Sequence, residues 1–153
     1  MTSHKLLAVK VERRAIASAI FIGDRLDYTQ VRQLSSVPDK AEGSAIGFVN
    51  WMVMSFRVES AALERLLPAS GIRRAQLSRL VIGALRAQSI PVWEIPKRAL
   101  LEAYGVPPLR TRKELREVVA SIWPILDGRQ RNNWILDATA IGLLVQTERL
   151  LSH

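Results

Sequence analysis

Asp137 stands inside the run Trp-Ile-Leu-Asp-Ala-Thr-Ala-Ile-Gly-Leu-Leu-Val, residues 134 to 145. On a helix its neighbours at i−3, i+4 and i+7 are Trp134, Ile141 and Leu144. A carboxylate in an apolar stripe is costly to bury unless a positive group meets it, whether a metal ion, an Arg or Lys, or a set of backbone N–H groups. The alternative is that Asp137 caps a helix beginning just after it; Asn132 and Asn133 are available for an earlier cap, which favours the buried reading. Other residue types narrow the chemistry. There is no cysteine, so no thiol, disulfide or Cys-ligated zinc. The histidines are His4 and His153, at the chain ends, which argues against His-based catalysis and His-ligated metal. No Ser-centred motif has a base to partner it, and neither a Walker sequence nor a dinucleotide fingerprint is present. Chemistry is left to carboxylates, hydroxyls and lysine.

The formal net charge is +8 and the isoelectric point is near 10.8, which favours an anionic partner. Of the 22 basic residues 17 are Arg, whose planar fork suits phosphate and stacks on bases; a GC-rich genome produces the same bias. Residues 73 to 131 hold 12 basic and 5 acidic residues. Nucleic acid, DNA or RNA, is the expected partner, against the plainer reading of a solvated basic surface. The 153 residues suit a single domain spanning 1–153 with a real core. No apolar run approaches the ~18 residues of a membrane span, and the polar N-terminus does not read as a secretory signal. The expectation is a cytoplasmic protein with no membrane partner.

The elements that must position Asp137 follow from periodicity. Lys5 to Glu12 alternates, with Leu7, Val9 and Val11 on one face and Ala8, Lys10 and Glu12 on the other. Ala15 to Ile22 is a nearly continuous apolar strand, and Arg25 to Leu34, beyond the Gly23-Asp24 turn, is a more polar third one. A helix is expected from about Asp39 to Val53, a fourth strand at Ser55 to Glu59, and helical pattern over 60–67. Pro68, Ser70 and Gly71 break the chain. Arg73 to Gln88 reads as an amphipathic helix, Ile90 to Ile95 as a fifth strand, and Pro96 as the opening of a short helix ending at Gly105. Thr111-Arg-Lys-Glu114 is a capping box opening a helix to about Trp123. Asp127-Gly128 is a turn, and the last helix carries Asp137. This order argues for an α/β fold, a five-stranded mixed sheet with a three-strand meander, two later parallel strands and helices on both faces. Trp51, Trp93, Trp123 and Trp134 are expected in the core rather than as stacking platforms, and Glu94 as a surface carboxylate at a strand end.

Order and motifs together resemble the ribonuclease-H-like superfamily, and within it the RuvC-type Holliday-junction resolvases. The resemblance rests on Leu7-Ala8-Val9-Lys10-Val11-Glu12 as the opening strand, Ala17-Ser18-Ala19-Ile20 in the second, Val58-Glu59 at the end of the fourth, Val92-Trp93-Glu94-Ile95-Pro96 at the fifth, and Asp137-Ala138-Thr139-Ala140 in the last helix. It covers essentially the whole chain and implies metal-dependent phosphodiester cleavage. Carboxylates of the first strand, fourth strand and last helix would hold two divalent cations, Mg²⁺ or Mn²⁺, about 4 Å apart.

The chain departs from that pattern where it matters most. Lys10 stands in place of the first-strand Asp, and Trp134 in place of a further ligand, leaving Glu59 and Asp137 as counterparts. Glu12 shares the face of Lys10 but lies about 6.6 Å farther along the strand, too far for an unchanged metal geometry. The expectation is a buried or half-buried Lys10–Glu59–Asp137 cluster in which the ammonium stands where a metal otherwise would, so that no cofactor is needed. The resemblance then implies a nucleic-acid-binding domain with a degenerate nuclease site, meeting phosphates of branched DNA or RNA through Arg73, Arg74, Arg110, Arg112, Lys113 and Arg116. The alternatives are an active endonuclease using Glu12, Glu59 and Asp137 with Mg²⁺ or Mn²⁺, and a scaffold or assembly protein with no nucleic-acid partner. The resemblance also implies a homodimer, with the helix at 39–53 as a candidate contact.

Overall fold

A computed structural model describes residues 4–67, 69, 71–124 and 132–151. The expected breaks at Pro68 and Ser70, the turn at Asp127-Gly128 and His153 lie outside the described residues. The chain runs β1 (Lys5–Val11), β2 (Ala15–Ile22), β3 (Arg25–Gln33), α1 (Pro38–Phe56), β4 (Ser60–Glu64), α2 (Ile72–Ala87), β5 (Val92–Ile95), α3 (Lys97–Ala103), α4 (Arg112–Ile122) and α5 (Asn133–Leu151). The sheet order is β3-β2-β1-β4-β5. β1, β2 and β3 pair antiparallel as a meander, and β4 joins β1 and then β5 in parallel. The expected mixed sheet is thus the observed one. Each parallel pairing needs a crossover, which α1 and α2 supply.

β1 lies at the centre, and its alternation divides two cores. Leu7, Val9 and Val11 pack with Phe48, Val49 and Met52 of α1 and with Leu77, Val81 and Leu85 of α2. Leu6 and Ala8 face Leu100, Leu115 and Val119, together with Leu136, Ile141 and Val145 of α5. Period-2 alternation places Lys10 on this second side, beneath α4 and α5. Among the described residues no helix is long and apolar enough to cross a membrane.

The fourth strand corrects the sequence reading. α1 continues to Phe56, past the expected strand start at Ser55, and closes on Arg57 in the left-handed conformation at φ 54° and ψ 52°. The strand is Ser60–Glu64, all five residues buried, within the stretch expected to be helical. Ser-Ala-Ala-Leu-Glu is rich in good helix formers; it is extended because it fills the slot between β1 and β5, where a strand satisfies backbone groups on both edges. The last strand residue is therefore Glu64, with Glu59 just outside the N-terminal end.

α5 begins where Asn132 Oδ1 accepts hydrogen bonds from the Trp134 and Ile135 N–H groups, at 2.9 and 3.2 Å. Asp137 is thus inside the helix and not its cap. α5 lies close on the sheet at Gly142, where a Cβ would collide with the Phe21 ring and approach Ala8 Cβ at 3.1 Å. Phe21 is fully buried and meets Trp123 edge-on, with centroids 5.9 Å apart, so it has no room to turn aside. Gly142→Ala is expected to destabilise the fold by about 1–3 kcal/mol, read as a lower midpoint in urea at unchanged m-value.

Candidate functional site

The register of β1 and β4 pairs Val9 with Leu63, so the next residues along, Lys10 and Glu64, emerge side by side on the α5 face. Lys10 is 2 % exposed, and its Nζ lies 3.6 Å from Glu12 Oε1, 3.9 Å from Glu64 Oε2 and 3.8 Å from Asp137 Oδ2. Asp137 descends onto this group from α5 and is itself 1 % exposed.

α4 completes the cluster. The side chain of Thr111 caps it by accepting from the Glu114 N–H at 3.2 Å, and this start places Arg112 and Arg116 one turn apart on the face toward the sheet. Arg116 grips Asp137 with its fork, Nε to Oδ1 and Nη2 to Oδ2, both at 2.9 Å. Arg112 Nη2 donates to both oxygens of Glu64, at 2.7 and 3.0 Å, and its Nη1 lies 3.7 Å from Asp137 Oδ1. Arg74 of α2 reaches Glu12 at 3.2 Å. Three carboxylates therefore face four cations drawn from β1, α2 and α4.

The electrostatics follow from that count. Burial pushes the Lys10 ammonium below the ordinary lysine range; Glu64 opposes the shift, Arg112 adds to it, and Asp137 and Glu12 oppose it. Hydrogen bonding to Asp137 raises the already high pKa of Arg116. The residues do not fit a pair of divalent cations. Every carboxylate already meets an ammonium or guanidinium, and a divalent ion between Glu64 and Asp137 would lie against three positive side chains.

No family model and no curated protein matches the sequence. The fold has clear counterparts among solved structures. RuvC of T. thermophilus, solved in complex with a Holliday junction substrate, superposes at a TM-score of 0.78 over 96 % of both chains with 17 % identity. The fold is that of the RuvC-type resolvases. The yeast mitochondrial Holliday junction resolvase Ydc2 matches at 0.69, covering 99 % of this chain and 83 % of its own, with 10 % identity. The Fowlpox virus resolvase, in complex with Holliday junction DNA, matches at 0.65, covering 94 % and 99 %, with 15 % identity.

Within this RuvC-type fold the expected site residues separate. Lys10, Asp137 and Glu12 come together; Glu59 does not. It accepts from the Lys5 N–H at 3.3 Å and lies 3.5 Å from His4 Nδ1, at the opposite end of the strand from Lys10. The cluster expected as Lys10–Glu59–Asp137 is corrected to Lys10–Glu64–Asp137, and the trio Glu12, Glu59 and Asp137 does not assemble. His4 Nε2 lies 2.6 Å from Ser60 Oγ, an arrangement of Ser, His and Glu that sequence spacing hid; Ser60 is 2 % exposed, which denies it the access a nucleophile needs.

The basic residues divide too. Arg112 and Arg116 turn inward onto carboxylates, and Arg74 meets Glu12. Arg73 holds Glu42 at 2.9 Å and the Pro38 carbonyl at 3.0 Å. Arg110 and Lys113 are exposed on the surface, with no side-chain ion pair among the described residues. Glu94 is a strand-end surface carboxylate, as expected, 3.6 Å from Arg86. Trp51 and Trp93 are 50 % and 42 % exposed, contrary to the expected core placement, because Trp51 lies on the side of α1 away from the sheet and Trp93 lies on the edge strand β5.

Asp137→Asn would leave three cations facing a neutral amide, at a cost of about 3–5 kcal/mol in chemical denaturation. Lys10→Met leaves three cations for three carboxylates and is expected to cost clearly less. Because the folded Lys10 pKa is depressed, the unfolded chain binds more protons between that value and the ordinary 10.5. Wild type should therefore gain stability relative to Lys10→Met as pH rises through that window, by at most about 1.4 kcal/mol per pH unit.

Proposed function

We propose that this domain binds branched DNA and does not cleave it. The observation that carries the reading is the Lys10 ammonium within 3.9 Å of Glu12, Glu64 and Asp137, in a fold shared with proteins solved on Holliday junctions. Phosphodiester hydrolysis by two metals needs carboxylate oxygens open to the ions, and here they are engaged by Lys10, Arg112 and Arg116. DNA binding is supported by the net charge of +8 and by exposed Arg110 and Lys113 at the start of α4. RNA is the competing ligand and a scaffold role the competing function.

The test is to incubate four-way junctions, linear duplex and RNA with the protein in Mg²⁺ or Mn²⁺. The expected outcome is retarded junction, no product, and an affinity that falls with salt by a log–log slope of about 0.9 per phosphate contacted. Product formation that disappears in Glu64→Gln would overturn the claim of inactivity. Preference for RNA, or no binding of any nucleic acid at low salt, would overturn the choice of ligand.

A second copy of the chain is the proposed partner at α1. Its outer side carries Trp51 and Met54, 50 % and 75 % exposed, in line with Gly43 and Gly47, which admit a close neighbour. Met54→Glu is expected to convert a dimer to a monomer in light scattering, with the circular dichroism spectrum unchanged.

A further inference from the structure

We infer that the cleft over Lys10 is an anion site, built to take a phosphate group directly and without a metal. The inference rests on the nucleic-acid reading above and says how that ligand would be held at the place where RuvC-type folds suggest a metal site.

The cleft has a volume of about 580 Å³ and is framed by the ends of β1 and β4 and the starts of α2, α3 and α4. Six of its lining residues are cationic: Lys10, Arg65, Arg74, Lys97, Arg98 and Arg112. Two are acidic, Glu12 and Glu64, so the wall carries four net positive charges. Asp137 and Arg116 beneath it cancel each other and leave that sum unchanged.

The cations are graded by depth. Lys10 and Arg112 form the floor, where both are engaged with Glu64, and Arg112 Nη1 has no hydrogen-bond partner. Arg65 and Lys97 form the rim, exposed and without a carboxylate partner among the described residues. Arg98 is at the rim but leans on Glu102 at 2.9 Å. A cavity with a marked excess of one sign of charge concentrates the opposite charge. Here that ligand is an anion with several oxygens, because ammonium and guanidinium groups approach from several sides and the apolar residues of the lining are Leu67 and Pro96 alone. A phosphodiester of the nucleic-acid backbone and a free pyrophosphate share that chemistry.

Two probes separate those sources and separate this inference from the functional reading. Junction DNA is titrated by fluorescence anisotropy with 5 to 10 mM EDTA or with Mg²⁺, and pyrophosphate is titrated in thermal unfolding with EDTA present. Wild type is compared with Arg65→Ala/Lys97→Ala, both exposed and outside the buried cluster. The expected result is junction binding undiminished by EDTA and a salt slope lower by about 2 in the double variant. A pyrophosphate-induced rise in midpoint that the double variant loses is also expected. Junction binding that requires Mg²⁺ overturns the inference, as does equal binding by wild type and variant together with no response to pyrophosphate; in the last case the DNA reading still stands. No junction binding, with the pyrophosphate response present in wild type and lost in the variant, overturns the DNA reading and leaves the cleft as a site for a free phosphate compound.

Discussion

The structure depends on one buried charge. Asp137 stands at the contact between α5 and the sheet, almost wholly removed from water, and a lone carboxylate there would oppose docking of the helix. Its cations come from elements far apart in the chain. Lys10 arrives on the central strand, and Arg112 and Arg116 on α4, more than a hundred residues later. The apolar core under α5 and the ion cluster at its start are therefore coupled. The helix settles on Leu6, Ala8 and Phe21 only where the carboxylate can reach its partners, and α4 is drawn over the sheet by the same contacts.

The cluster explains the unusual composition in local terms. A carboxylate-lined metal site takes its positive charge from solution, so that its electrostatics vary with ion supply. In this chain the positive charge is covalent. Lys10 and Arg112 bring it from opposite sides, and the excess over the carboxylates extends outward through Arg65 and Lys97 to the cleft rim. The cations at the centre and the basic opening above them are two parts of one arrangement. Lys10 fits the central strand without disturbing it, because it falls on the same face as Leu6 and Ala8 in the alternation that buries β1.

Much of this was legible in the residues. The alternation of Leu7, Val9 and Val11 against Ala8, Lys10 and Glu12 puts Lys10 on the face of Ala8, the resemblance to RuvC-type resolvases turns that face toward the last helix, and the apolar setting of Asp137 demands a cation. The fourth strand was not legible. Ser60 to Glu64 has local preferences that favour helix, and only the vacancy between β1 and β5, a long-range property, makes it extended. That shift of five residues exchanged Glu64 for Glu59 as the strand's last carboxylate. Arg112 and Arg116 stand out in the sequence for their charge, but which way they face depends on where α4 packs. Trp51 and Trp93 failed for a related reason: an aromatic in an apolar run reads as core whether or not another element covers it.

The two kinds of cation in the cluster do different work. Arg116 matches Asp137 with two parallel donors, both at 2.9 Å, and Arg112 Nη2 bridges the two oxygens of Glu64 at 2.7 and 3.0 Å, contacts that fix the relative position of α4, α5 and β4. Lys10 is bound to none of them in that way. It lies at near-equal distances of 3.6 to 3.9 Å from three carboxylates, as a compact point charge does when it serves a shared field rather than a single partner. The arginines therefore set the geometry and the lysine sets the charge. A compact charge at the meeting point of β1, β4 and α5 thus governs the field of the site, while the arginine contacts hold the elements around it in place.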